Sequence, residues 1–149
     1  MKKLLIIPIF ILLLTGCGGE SLTRTVCTNT NSLSEDALLA SEYVIYALGD
    51  SVHILVSTES IRSENPDVLE HYRKTIEDIY LQYNRVPFYN NSIHTEDGFL
   101  TSITMVNYNR VNLDDLIRID ENNAAIIENG RVSLRILLEM YKDSGAICE

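Results

Sequence analysis

Two apolar runs, Leu38 to Leu48 and Ser51 to Ile61, are separated by Gly49 and Asp50 alone. That spacing constrains the fold more than any other feature of the chain. Glycine at the first central position suits a two-residue type II′ turn, whose twist matches that of the strands it joins, so the spacing predicts a β-hairpin. The register that follows pairs Leu48 with Ser51, Ala47 with Val52, Ile45 with Ile54 and Tyr43 with Val56. One face then carries Tyr43, Ile45, Ala47, Val52, Ile54 and Val56 and is read as the core side. The other carries Val44, Tyr46, His53 and Leu55, and is too apolar to be left fully wet. Tyr46, His53 and Leu55 are therefore the candidate ligand or partner face.

The rest of the domain is read around this hairpin. Leu22 to Thr28 alternates with period two and predicts a strand, and the polar stretch Asn29 to Asp36 a loop. Asn65 and Pro66 open a helix, a capping side chain followed by proline at the first helical position. Its stripe is Leu69, Tyr72, Ile76, Ile79 and Tyr83. From Pro87 to Gly98 the composition predicts a long loop. Phe99 to Tyr108 predicts another strand, and Asn112 caps a short helix. Asn129 and Gly130 mark a turn. Ser133 caps a last helix with Leu134, Leu137, Leu138 and Tyr141 on one face, ended by Gly145. The fold class expected is α+β, an antiparallel sheet of about four strands with helices packed on one side.

Composition enters as exclusion. With 149 residues and 46% hydrophobic content, one core is expected and a disordered tail is not. The N-terminus reads Met1, Lys2, Lys3, then an apolar run from Leu4 to Leu14 broken only by Pro8, then Thr15, Gly16 and Cys17. A charged start, a short apolar stretch and small residues at the cut are the parts of a secretory signal. The run of 11 residues is short of the roughly 20 that a spanning helix needs. Residues 1–16 are thus expected to be a leader, 17–21 a tether and 22–149 a single domain. Loss of Lys2 and Lys3 leaves 10 basic against 21 acidic residues, a net charge of −11. Such a surface repels phosphate backbones and anionic headgroups, so no nucleic acid is expected as partner.

Leu14, Thr15, Gly16 and Cys17 resemble the lipobox of bacterial lipoproteins. The resemblance implies cleavage before Cys17 and a lipid on its sulfur, hence a cell-membrane anchor with the domain facing outside the cytoplasm. In that compartment Cys27 and Cys148 form an even pair, and a disulfide is expected, with free or reactive thiols as the alternative. The layout as a whole is similar to the YehR-type family of small bacterial lipoproteins. Its tokens are the lipobox, the hairpin Tyr43 to Val56, the helix from Pro66, the strand through Ile103 and Met105, the segment Val111 to Ile117 and the helix from Ser133 to Gly145. None is a catalytic motif, so the resemblance implies no functional residue, and it implies that the Cys27 and Cys148 pair is a local addition.

Searching for chemistry yields only weak constellations. No phosphate-cradling loop, zinc-protease motif, nucleophile elbow or EF-hand is present. His94, Glu96 and Asp97 offer metal-ligand types but read as a solvated turn. Asp114 and Asp115 are explained by the helix dipole, since adjacent helical residues point about 100 degrees apart. Neither a metal nor another cofactor is expected. The function expected is a non-catalytic binding or interaction module at the cell envelope, whose ligand is a protein or a small molecule. The alternatives are an enzyme assembled from distant loops, with His53 or His94 taking part, and a structural envelope component.

Overall fold

The computed structural model describes residues 21–149. Strands β1 (Leu22–Ser34), β2 (Ala37–Leu48) and β3 (Ser51–Arg62) form a meander and lead into helix α1 (Pro66–Leu81). Strands β4 (Tyr89–Glu96) and β5 (Phe99–Asn107) follow, then helix α2 (Leu113–Ile119). The short strands β6 (Ile127–Glu128) and β7 (Arg131–Val132) pair with each other, and helix α3 (Leu134–Asp143) and strand β8 (Ile147–Cys148) complete the chain. The main sheet is antiparallel and six-stranded, in the order β4-β5-β3-β2-β1-β8. The fold is therefore α+β as expected, with more strands than the sequence suggests.

The added strands have physical causes. Residues 29–34 continue β1 instead of forming a loop, because β2 supplies a partner as far as Ala37. Their polarity reflects a strand whose outer neighbour, β8, pairs only with Cys27 and Thr28. Residues 89–96, also expected as loop, form the opposite edge strand paired with β5. Polar and charged side chains are the usual protection of such an edge.

The predicted hairpin turn is present: Gly49 has φ 56. Its register holds for Leu48 with Ser51 and Ala47 with Val52, then slips. Tyr46 pairs with Ile54 and Ile45 with Leu55, so His53 is the extra residue of a β-bulge. Its carbonyl accepts a hydrogen bond from the Tyr108 N–H at 2.8 Å. Because side chains alternate with period two, one inserted residue moves everything beyond it to the opposite face. Leu55 faces inward, and Ile54 and Val56 face outward.

All three helices lie on the inward face, where they bury three separate apolar clusters. At one end α3 sets Leu137 and Tyr141 against Cys27, Ile45, Val52 and Leu55. At the other, α1 sets Leu69 against Ala37, Ile61 and Leu100. A third joins Tyr83, Val86, Val106, Val111 and Leu116. Each helix begins as its sequence predicts. Asn65 accepts from the Asp67 N–H at 3.0 Å, Asn112 from the Asp114 N–H at 3.0 Å, and Ser133 from the Ile136 N–H at 3.3 Å. The stripe of α1 differs by one position, with Ile79 exposed and Tyr80 turned to the sheet.

Candidate functional site

The expected ligand face is divided by the bulge. Leu55 is 9% exposed and belongs to the cluster beneath α3, so it is unavailable to a partner. Tyr46 stays on the outward face, between Arg24 of β1 and Ile54 of β3. His53 is half-buried beside it at the bulge. Among the described residues this outer face carries no helix, and Ile103 and Met105 are exposed on it. Cys17 lies outside the described residues. Cys27 and Cys148 are joined in a disulfide across the β1–β8 pair, which leaves no thiol at either position. His94 and Glu96 stand on the exposed edge strand with Asp97 in the turn after it. No group of three or more potential metal ligands occurs among the described residues.

The inward face holds a feature that the sequence reading missed. Following the register across β4, β5, β3 and β2, one row is Asn91, Thr104, Ser57 and Tyr43, and the next is Ile93, Ser102, Glu59 and Ser41. This is a polar band in the middle of a face that is apolar at both ends. It lies where the three apolar clusters meet. Its floor is made of small side chains, among them Ser41, Ser57 and Ser102. Around it stand tyrosines. Tyr43 of β2 stacks on Tyr141 of α3, with centroids 4.1 Å apart. Tyr80, at the end of α1, lies 6.3 Å from Tyr89, which in turn stacks on Tyr83 at 4.7 Å. Asn91 secures the floor by donating to the Ser102 and Thr104 hydroxyls at 3.0 and 2.8 Å.

Glu59 is the one carboxylate in this band. It is half-buried and accepts a hydrogen bond from the Tyr43 hydroxyl at 3.4 Å. None of the ion pairs among the described residues includes it. Burial pushes its pKa up, against the opposing effect of the Tyr43 bond. Burial likewise raises Tyr43, Tyr80, Tyr89 and Tyr141, and takes Tyr108 up to about 12. These five phenols are therefore neutral at physiological pH, and among the described residues Glu59 supplies the formal charge of the band. Tyr43, Ser57, Glu59 and Tyr80 are half-buried in this band, and the Ser41, Ser102 and Thr104 side chains beside them are buried. Aromatic side chains beside a few polar groups are the ingredients from which ligand sites are built.

Two signals in the sequence could have located it. The run Ser57, Thr58, Glu59, Ser60 interrupts an otherwise apolar strand at its centre. Six of the eight tyrosines, Tyr43, Tyr80, Tyr83, Tyr89, Tyr108 and Tyr141, fall on elements that face it.

Among the described residues, fold and site together define a class: an antiparallel sheet with its helices gathered on one face, and a polar band bordered by tyrosines between them. Two solved structures are similar in fold. The NMR structure of the E. coli YehR protein superposes with a TM-score of 0.58 at 17% identity, covering 87% of this chain and 92% of that one. The NMR structure of a protein from Streptococcus pneumoniae TIGR4 gives a TM-score of 0.55 at 9% identity, covering 100% of this chain and 93% of that one. At such identities the likeness is one of fold. No family model and no curated protein matches the chain.

Proposed function

We propose that this chain is a YehR-type lipoprotein, anchored to the cell membrane by lipid on Cys17, and that its domain is a non-catalytic binding module facing outside the cytoplasm. The band around Glu59 carries the binding reading. A sheet whose inward face is apolar at both ends keeps a half-buried carboxylate and a set of mostly buried hydroxyls at its centre, where leucine or valine would pack more stably. Stability does not ask for such a band, and a ligand does. Two observations support the address: the lipobox-like Leu14 to Cys17 and the Cys27–Cys148 disulfide, which suits an oxidising compartment.

Native mass spectrometry of the full chain, extracted from membranes in a maltoside detergent, tests the reading. The expected mass begins at a lipidated Cys17, falls two hydrogens below its reduced form, and carries a non-covalent adduct that a Tyr80→Leu variant loses. An unlipidated mass overturns the address. A bare protein mass, or an adduct kept in full by the variant, overturns the band as the binding site.

A further inference from the structure

We propose that the outward face of the sheet is the interface with a second copy of this chain, the two sheets packing face to face about a two-fold axis that crosses the strands at Val44 and Val56. This surface lies opposite the band around Glu59, and the proposal stands independently of it.

The central row of this face is Val26, Val44, Val56 and Met105, one residue from each of β1, β2, β3 and β5. Tyr46 and Ile54 extend it on the side of the β2–β3 turn, and Ile103 on the other. A sheet wetted on one side ordinarily turns polar residues outward, and here the middle of that side is apolar across four strands. Beyond it the positions turn polar, with Thr30, Ser60 and Thr101 sharing one row. An apolar centre within a polar rim is the anatomy of a protein interface. With strands ~4.8 Å apart and same-face residues ~6.7 Å apart, five strands by five rows cover roughly 800 Å², the share that each partner of a standard interface buries.

Charge selects the occupant. The chain is net −9, yet this face sets Arg24 and Arg62 against Glu42, Glu96 and Glu149, and so holds a net −1. Two copies that meet here keep most of their mutual repulsion at a distance. Arg24 stands one row to one side of the valines, and Glu42 one row to the other, on adjacent strands. A two-fold axis along the valine row exchanges those rows, so Arg24 of each copy comes to Glu42 of the other, and the contact is made twice. Stacked sheets lie about 10 Å apart, which these two side chains span together. None of the ion pairs among the described residues includes Arg24 or Glu42. A bilayer on the same face would desolvate Glu42 with no cation to meet it, and a second copy supplies one.

Sedimentation velocity of the full chain in a density-matched detergent, over a wide range of concentration, reads the association. The expected result is a monomer–dimer equilibrium that Arg24→Glu and Glu42→Arg each weaken about tenfold, and that the double variant, with the charges exchanged, restores to within about threefold. Val56→Asp, on the axis, abolishes the dimer, and an unchanged far-ultraviolet circular dichroism spectrum verifies its fold. Cross-linking on intact membranes, where no detergent competes for the face, locates the contact. A short bismaleimide is expected to join two copies of the Val56→Cys chain, and to leave Thr75→Cys, on the exposed side of α1, as single chains. A monomer by both methods overturns the proposal. A dimer that survives Val56→Asp, or that the charge exchange fails to restore, overturns the two-fold contact at this face. A monomer whose Val56→Cys thiol reacts in solution but is shielded on phosphatidylcholine vesicles gives the face to lipid and overturns the dimer.

Discussion

Helices α1 and α3 cover opposite ends of one sheet face, and they are held there by opposite means. The attachments of α3 are long-range. Asp50, in the turn between β2 and β3, accepts from the Ser133 hydroxyl and the Arg135 N–H, each at 2.8 Å, and so caps the helix from across the fold. Asn29 of β1 donates to the Ser144 carbonyl at 2.9 Å, and the disulfide fixes the strand that follows. The attachments of α1 are local. Arg73 pairs with Glu70 and Glu77, and Lys74 with Glu70, all within the helix. Only Leu69 of α1 is fully buried, whereas Ile79 and Leu81 are 51% and 66% exposed. Ion pairs at three and four residues stabilise a helix wherever it lies and do little to dock it. The band thus has a fixed border, Tyr43 on Tyr141, and a looser one, Tyr80.

The strongest way to break this comparison is to remove the covalent tie. Replacing Cys27 and Cys148 together by serine opens a link between residues 121 positions apart. The expected loss is about 2–5 kcal/mol, because a link over so long a stretch removes much freedom from the unfolded chain. Urea unfolding with and without reductant measures it. Hydrogen exchange locates it: amides of α3 and β8 are expected to lose protection before those of α1. Earlier loss in α1 would mean that the two coverings are not independent.

A smaller effect sharpens the comparison by pH. The Arg135 N–H and the Ser133 hydroxyl hold the Asp50 carboxyl below its ordinary pKa. A carboxylate depressed in the folded state adds stability above its unfolded value, near 3.9, and the gain disappears as pH falls through the folded value. Asp50→Ala is expected to cost about 1 kcal/mol at neutral pH, the usual loss for a helix cap, and progressively less below about pH 4. The matching change in α1 is Arg73→Ala. Although Arg73 lowers Glu70 to about 2, the pair lies in solvent within one helix, and a loss clearly smaller than that of Asp50→Ala is expected. Thermal unfolding of both variants across pH 3–7 checks the contrast. Equal losses would show that Asp50 does no more for α3 than a surface ion pair does for α1.

Features with local causes were legible in the sequence. Gly49 with Asp50 announced the hairpin, Asn65, Asn112 and Ser133 the helix starts, and an even cysteine pair the disulfide. What escaped depended on partners distant in the chain. The bulge at His53 is held through the Tyr108 N–H, and no local pattern at Ser51 to Leu55 encodes it. Yet that single residue moved Leu55 from the expected ligand face into the core. Strand β4 was hidden because an edge strand and a polar loop share a composition. On α1, Ile79 and Tyr80 compete for the same stripe, and hydrophobicity alone chose Ile79. The sheet chose Tyr80 by offering the polar band around Glu59. The candidate site was thus obscured by one bulge and one helical position, not by weak motifs.

Glu59→Gln gives a small change in stability, opposite in sign to that of Asp50→Ala. Burial raises the Glu59 pKa, so the folded state takes up its proton more readily than the unfolded one. The sign is opposite to that of Asp50: between the unfolded value, near 4.3, and the higher folded value, rising pH costs stability, and above both the whole penalty is present. An uncharged isostere removes that penalty. The variant is expected to gain roughly 0.5 kcal/mol at pH 7, a modest value because the carboxylate is half exposed and screened, and the gain should vanish below about pH 4. Thermal melts of both proteins at pH 7 and pH 4 measure it. A gain at pH 7 means that the unliganded fold carries a charge it does not need, as a binding site does. Destabilisation at pH 7 would mean that the Tyr43 hydrogen bond already satisfies Glu59, and that the carboxylate serves the fold itself.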